Sequence, residues 1–455
     1  MTKFKSYPKY KESGLQWIKD IPEHWEVKKL KIFSNVQASN VDKKTVEDEI
    51  PVLLCNYVDV YYNDKIIKEI DFMKATAKEE QIRKFTLQKN DVLITKDSES
   101  PTDIAVPAWV EEDLEGVLCG YHLSHIRPKN HEMKGRYLYY SFETSGIKEQ
   151  FWANANGVTR FGLSKDAINN GLFIVPPLEE QNQIVDFLDK KTSEIDSLID
   201  DKEKFMKLLE VKRQVVITET VTKGLNPDVN FRDSGVEWIG EIPKHWEIKK
   251  LNFLGRLQNG ISKSSEEFGF GHPFVSYGDV YKNMELPEKV IGLVNSTQSD
   301  RNIYSVKAGD IFFTRTSETI EEIGFASTCL TTITDATFAG FLIRFRPSTN
   351  KLLPNYSKYY FRSELGRRYF VKEMNLVTRA SLSQDLLKNF PVILPPVEEQ
   401  HQIAYFLDFE MNTITEIITS LKEQINHLKE YRQSLIYEAV TGKIDVRNYK
   451  EAVVS

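Results

Sequence analysis

The stretch from Val175 to Gly224 constrains the fold more than any other: V-P-P-L-E-E-Q, then about 45 residues without glycine or proline, then T-K-G-L. Without either helix breaker, the run predicts one continuous helix. It occurs twice. The second copy opens as L-P-P-V-E-E-Q at Leu394 and closes as T-G-K-I at Thr441. In it Leu407, Ile414, Leu421, Leu428 and Leu435 recur at a heptad interval, with Ile403, Ile417 and Tyr431 on the complementary row. The first copy places Leu188, Ile195, Leu209 and Val216 on the equivalent row and Ile184, Leu198 and Phe205 on the other, interrupted by Lys191, Lys202 and Lys212. A long apolar stripe has no cover on an isolated helix, and each Leu or Ile buried contributes roughly 1.5–3 kcal/mol. The two copies are therefore expected to bury each other, forming a rod roughly 65–70 Å long that holds two globular parts apart.

The chain of 455 residues has room for two or three cores. Its three cysteines, Cys55, Cys119 and Cys329, form no C-x-x-C or zinc pattern, which favours a reducing interior and no structural metal. No apolar run approaches membrane-spanning length, and the first residues lack the apolar core of a signal peptide, so a soluble, cytoplasmic protein is expected. A net charge of −6 argues on its face against a nucleic-acid binder, but the distribution is uneven. Acidic residues crowd the first helical run (Glu179, Glu180, Asp186, Asp189, Asp196, Asp200, Asp201), which suits a protein partner, whereas Arg344, Arg346, Arg362, Arg367, Arg368 and Arg379 make the later globular region basic.

Other segments repeat in the same order. S-G-L-Q-W-I-K-D-I-P-E-H-W-E-V-K-K-L (Ser13 to Leu30) returns as S-G-V-E-W-I-G-E-I-P-K-H-W-E-I-K-K-L (Ser234 to Leu251), matching Trp17 to Trp238, His24 to His245 and Trp25 to Trp246. No triad-like partner recurs with the His-Trp pair, so these residues are read as aromatics clamping the segment to a neighbouring element. Y-V-D-V-Y (Tyr57 to Tyr61) answers Y-G-D-V-Y (Tyr277 to Tyr281), and N-D-V-L-I-T-K-D-S-E (Asn90 to Glu99) answers G-D-I-F-F-T-R-T-S-E (Gly309 to Glu318). V-T-R-F-G-L-S-K-D (Val158 to Asp166) answers V-T-R-A-S-L-S-Q-D (Val377 to Asp385). Short β-branched and aromatic runs read as strands, and Tyr137 to Phe151 and Tyr356 to Phe370 as helix. The reading is of two α+β domains of one lineage with divergent loops, as suits recognition of different ligands on one scaffold.

Taken together, the twin I-P-x-H-W-E-x-K-K-L, P-P-[LV]-E-E-Q, [GN]-D-[VI]-x-x-T-[KR]-x-S-E and V-T-R-x-x-L-S blocks resemble those of specificity (S) subunits of type I DNA restriction-modification systems, over essentially the whole chain. The resemblance implies an α+β chain with a pseudo-two-fold internal repeat: two target recognition domains separated by two long antiparallel coiled-coil helices. On that division residues 1–30 are an N-terminal conserved segment, 31–173 the first recognition domain, 174–225 the central helix, 226–251 a linker repeating the N-terminal signature, 252–392 the second recognition domain and 393–455 the C-terminal helix. It also implies a non-catalytic subunit that reads a bipartite, asymmetric target in double-stranded DNA and docks two modification (methyltransferase) subunits, which two restriction (translocase and nuclease) subunits can join. No cofactor is expected on this chain; S-adenosylmethionine, ATP and Mg2+ belong to the partners.

Candidate DNA contacts are the shared polar positions Lys96, Ser98, Thr159 and Arg160 and their counterparts Arg315, Ser317, Thr378 and Arg379, where a cation can meet phosphate or a guanine edge and a hydroxyl can add a positioning bond. Being common to both domains they would mostly orient the backbone; specificity falls to divergent loops, including Asn154, Asn156, Lys263 and Arg301. Ser164 and Ser383 read as helix caps. Enzymatic readings find little: the P-P pairs lack the flanking residues of an adenine methyltransferase site, and T-G-K-I lacks a Walker A frame. A coiled-coil scaffold binding only proteins is the alternative, and it leaves two domains with divergent loops unexplained.

Overall fold

A computed structural model describes residues 4–129, 131–317, 323–373, 380–447 and 449. The two glycine-free runs are single helices, Leu178–Lys223 and Val397–Val440, of 46 and 44 residues. The chain divides into two compact units, one of residues 1–202 and 423–455 and the other of 203–422, so each unit holds half of each long helix.

Within each unit the two half-helices run antiparallel. In the first, Lys202 Nζ donates to Gln424 Oε1 at 2.7 Å and Arg432 Nε to Asp196 Oδ1 at 3.0 Å; in the second, Arg213 donates to Thr415 Oγ1 at 2.8 Å. One row of the seam is as expected: Leu188, Ile195, Leu209, Leu407, Ile414, Leu421 and Leu435 are buried, and Val216 and Leu428 half-buried. The complementary row is as expected only at its start, where Ile184 and Ile403 are buried. Leu198 and Phe205 are 50% and 47% exposed, and Ile417 and Tyr431 also face outward. Their places are taken by the next residue along, Ile199 and Met206 on the first helix and Ile418 and Arg432 on the second. The seam steps four residues, not three, from the heptad row, through Thr192, Ile199, Met206 and Arg213, and through Met411, Ile418 and Ile425. Polar residues on the true row and apolar ones beside it obscured the register. Ile199→Ala is therefore expected to cost about 2–4 kcal/mol and Leu198→Ala under about 1 kcal/mol, measured by urea unfolding.

The repeated signatures anchor the start of each long helix. Trp25 and Trp246, both essentially unexposed, donate their indole N–H to Glu180 and Glu399 at 3.0 and 2.9 Å, and His24 and His245 meet the same carboxylates at 2.6 and 2.7 Å. Gln181, fully buried, accepts from the Lys134 N–H and donates to the Glu132 and Pro176 carbonyls; Gln400 does the same with Leu353, Lys351 and Pro395. The second Glu and the Gln of each E-E-Q triplet thus form a hydrogen-bonded polar knot that fixes where the helix begins, while Glu179 and Glu398 are exposed. Strands Glu26–Lys29 and Glu247–Lys250 pair antiparallel with Leu172–Val175 and Pro391–Leu394, the strands leading into those helices.

In the first unit a five-stranded sheet runs in the order Ser34–Ala38, Leu123–Pro128, Val92–Thr95, Pro107–Val110, Lys65–Ile66, beside a four-stranded sheet of Met73–Ala77, Ile50–Cys55, Leu114–Cys119 and Thr86–Leu87. In the second the corresponding sheets are Gly255–Asn259, Leu342–Pro347, Ile311–Thr314, Ala326–Thr328, and Leu293–Val294, Phe268–Val275, Thr337–Phe338. Val92–Thr95 and Ile311–Thr314 are buried at every position, which is why they read as unbroken apolar runs. The Tyr-rich stretches each form two helices rather than one: Gly135–Glu143 and Ser145–Ala153, and Pro354–Tyr360 and Glu364–Glu373. Thr144, in extended backbone, makes the first break. The Tyr137 hydroxyl lies 3.3 Å from the Val440 carbonyl and that of Tyr356 3.3 Å from Val221, tying each pair to the end of the opposite long helix.

Candidate nucleic-acid interface

The three shared sequence blocks converge at one end of the central sheet in each unit. Leaving Val92–Thr95, the Lys96 N–H donates to the His122 carbonyl at 3.1 Å and the Lys96 carbonyl accepts from Leu163 at 2.8 Å; Arg315 repeats this with Phe341 and Leu382 at 2.9 and 2.7 Å. Asp97–Ser98 then pairs with Phe161–Gly162, as Thr316–Ser317 does with Ala380–Ser381. Lys96 and Arg315 are therefore structurally equivalent.

Their side chains are not. Lys96 Nζ donates to the Ser39 carbonyl at 3.1 Å and lies 4.4 Å from the centre of the Tyr121 ring, and burial lowers its pKa. Gly260 and Gly340 stand where the first domain has Ser39 and Tyr121, and among the described residues the half-buried Arg315 side chain makes no hydrogen bond or ion pair. One domain tethers the shared cation; the other leaves it available.

Ser98 is buried and accepts from the Tyr57 hydroxyl at 3.3 Å, whereas Thr159 is exposed. Arg160 is exposed but held: one terminal nitrogen lies 2.6 Å from Asp97 Oδ1 and 3.1 Å from His122 Nδ1, and His122 Nδ1 is 2.8 Å from the same Asp97 oxygen. The Ser317 side chain, Thr378 and Arg379 lie outside the described residues. Ser164 and Ser383 cap short helices, accepting from Ala167 and Leu386 at 3.1 Å. Tyr57 stacks on Tyr61, and Tyr277 on Tyr281, beside the same strand ends.

The residues named from the divergent loops have local partners. Lys263 pairs with Glu267 and Asp300, Arg301 with Asp335 and the Ser296 carbonyl, and the Asn154 and Asn156 amides bond to backbone carbonyls. The basic lean of the second domain is largely internal. Arg362 donates to the carbonyls of Ala326, Val280, Tyr281 and Asn283, Arg367 to Ile323, Arg344 to Ser305, and Arg346 to Asp310. These arginines fasten loops to the sheet, so counting them overstated the surface charge. Sequence reading also missed Asp97 and His122; Asp97 was signalled by its replacement with Thr316 inside an otherwise matching block, whereas His122 and Phe341 lie outside the shared blocks.

Two repeated α+β units, each sharing a helical pair and presenting a sheet end whose framework is common and whose side chains differ, define a recognition protein with two unlike reading sites. The chain belongs to the family described as type I restriction modification DNA specificity domain, whose model matches residues 22–204 and 243–427. It is 27% identical over 434 residues to the type I restriction enzyme MjaVIII specificity subunit of Methanocaldococcus jannaschii, covering 94% of this chain and 95% of that one. It is 26% identical over 378 residues to the EcoKI specificity subunit of Escherichia coli K12, covering 79% and 75%. A solved chain from work on complex assembly and conformational transition of the type I R-M system shares the fold, with a TM-score of 0.71 at 18% identity over 93% of this chain and 99% of that one. Among the described residues no helix is long and apolar enough to cross a membrane, and no group of three or more His, Cys, Asp or Glu could hold a metal ion.

Proposed function

We propose that this chain is the DNA-reading subunit of a type I restriction-modification assembly, each domain recognising one half of a bipartite, asymmetric target. The observation that carries this is the pair of equivalent sheet ends bearing different side chains: Lys96, Asp97, Tyr121 and His122 against Arg315, Thr316, Gly340 and Phe341. A common frame sets the approach to the duplex and unlike side chains read unlike bases. The exposed outer faces of the long helices, with Leu208, Val211 and Val215 on one and Tyr405 and Phe409 on the other, suit docking of two modification subunits. Methyl transfer from S-adenosylmethionine, and ATP- and Mg2+-dependent cleavage by two restriction subunits where these join, belong to the partners; this chain supplies sequence choice and no catalytic group.

Methylome sequencing of cells producing the chain with its modification subunits is expected to reveal one methylated motif made of two unlike half-sites around an unspecified gap. A palindromic motif, or methylation indifferent to this chain, would contradict the reading. Duplex binding by the assembly should also weaken steeply with salt, as phosphate contacts require; a protein-only scaffold would retain no DNA at low salt.

A further inference from the structure

We propose that Asp97 and His122 fix Arg160 as a guanine-reading side chain of the first domain, a device the second domain does not share. The inference rests on the chain's reading DNA and goes further, to a named side chain, a base and a mode of contact.

Arg160 sits on a short arch whose shape is set by backbone. Asn156 and Gly162 exchange N–H to carbonyl bonds of 3.0 and 2.9 Å across its base, and Phe161–Gly162 joins the strand Asp97–Ser98. Gly157 has φ of +149°, and a Cβ there would come within 1.9 Å of the Arg160 carbonyl, so only glycine closes the arch in this form. In the second domain Leu376 takes that place in the sequence and lies outside the described residues. At the tip Val158 is 92% exposed and Thr159 is exposed beside it, so the arch projects into solvent.

The Asp97 side chain is 18% exposed and that of Arg160 55%. One oxygen of Asp97 meets both Arg160 and His122, and the His122 carbonyl is itself held by the Lys96 N–H. Two side chains, Asp97 and His122, thus meet one guanidinium nitrogen, and among the described residues the other donors of the fork have no partner.

Charge decides what such a fork suits. A phosphate contact draws its strength from net positive charge and released counterions. A carboxylate 2.6 Å away cancels most of that charge while fixing the guanidinium plane. Base reading has the opposite need: a planar donor pair aimed at guanine O6 and N7 gains from a fixed plane and loses little from local neutrality. In the second domain Thr316 and the 64% exposed Phe341 stand in place of Asp97 and His122, so neither position offers a carboxylate or an imidazole.

The test uses the assembled complex with its modification subunits and duplexes carrying its own target, each base pair varied singly, at two salt concentrations. Arg160→Lys is expected to lose about 5- to 150-fold discrimination at one G·C pair in the half-site of the first domain, with the salt slope unchanged. Asp97→Thr and His122→Phe, the residues the second domain itself carries, should weaken discrimination at that same pair while leaving the unfolding midpoint near that of the unaltered chain. Uniform weakening on all duplexes with a shallower salt slope would make Arg160 a phosphate contact and overturn the proposal, as would unchanged discrimination. Absence of any sequence preference in the unaltered complex would instead overturn the functional reading on which it rests.

Discussion

Trp25→Ala is expected to release the first unit's hold on its long helix, with a loss of about 3–5 kcal/mol. The side chain is fully buried, packs edge-on against Tyr7 at 5.3 Å, and lies under Gly442, where an added Cβ would come within 2.9 Å of the ring. Truncation therefore opens a large cavity and removes one of three donors to Glu180, the others being His24 and the Tyr7 hydroxyl at 3.1 Å. Trp25→Phe separates these effects: it keeps most of the apolar volume and removes the N–H, at about 1–2 kcal/mol. Amide hydrogen exchange would localise the loss, because typical domain stability is only about 5–15 kcal/mol. Protection should fall at Leu172–Val175 and along the start of Leu178–Lys223 and persist at Pro391–Leu394, where Trp246 and Glu399 are intact. Unchanged protection near Val175 would show that the tryptophan is not the anchor.

The repeated blocks were the most legible part of this chain because local rules write them. Two helix-breaker-free runs became two helices, Ser164 and Ser383 became caps, and D-V-L-I-T and D-I-F-F-T became fully buried strands. The seam's second row was harder. Three and four residues from a heptad position are both neighbours on a helix, and only the opposing surface selects Ile199 and Met206 over Leu198 and Phe205. Partners far apart in sequence were invisible in principle: His24 and Glu180 are 156 residues apart, Arg160 and Asp97 63. For the same reason arginines that looked like a basic surface turned out to bind carbonyls and Asp310. The equivalence of Lys96 and Arg315 was legible from their shared block, but their surroundings were not, since Tyr121 against Gly340 decides which cation is tethered.

The aspartate that opens each shared strand leads to the other large expected effect. Asp91 is 1% exposed and accepts from Arg127 Nε and Nη2 at 2.8 and 2.7 Å, from the Gln88 N–H at 2.8 Å, and meets His125 Nε2 at 2.7 Å. Asp310 holds Arg346 in the same way at 2.6 Å. Asp91→Ala leaves a half-buried guanidinium and a buried imidazole without their anion and is expected to cost about 3–5 kcal/mol. Acid should have a related effect. Burial raises the Asp91 pKa, but the hydrogen bonds from Arg127 and His125 outweigh it and leave the carboxyl below its ordinary value. A depressed pKa stabilises the fold above the unfolded-chain value of about 3.9 and loses that contribution as pH falls through the folded value. Urea unfolding from neutral pH down to about pH 2 should thus show a steep acid limb that flattens in Asp91→Asn, where no proton can be taken up. An acid limb equally steep in both proteins would place the acid-sensitive group elsewhere and remove Asp91 as the ionic centre of the sheet.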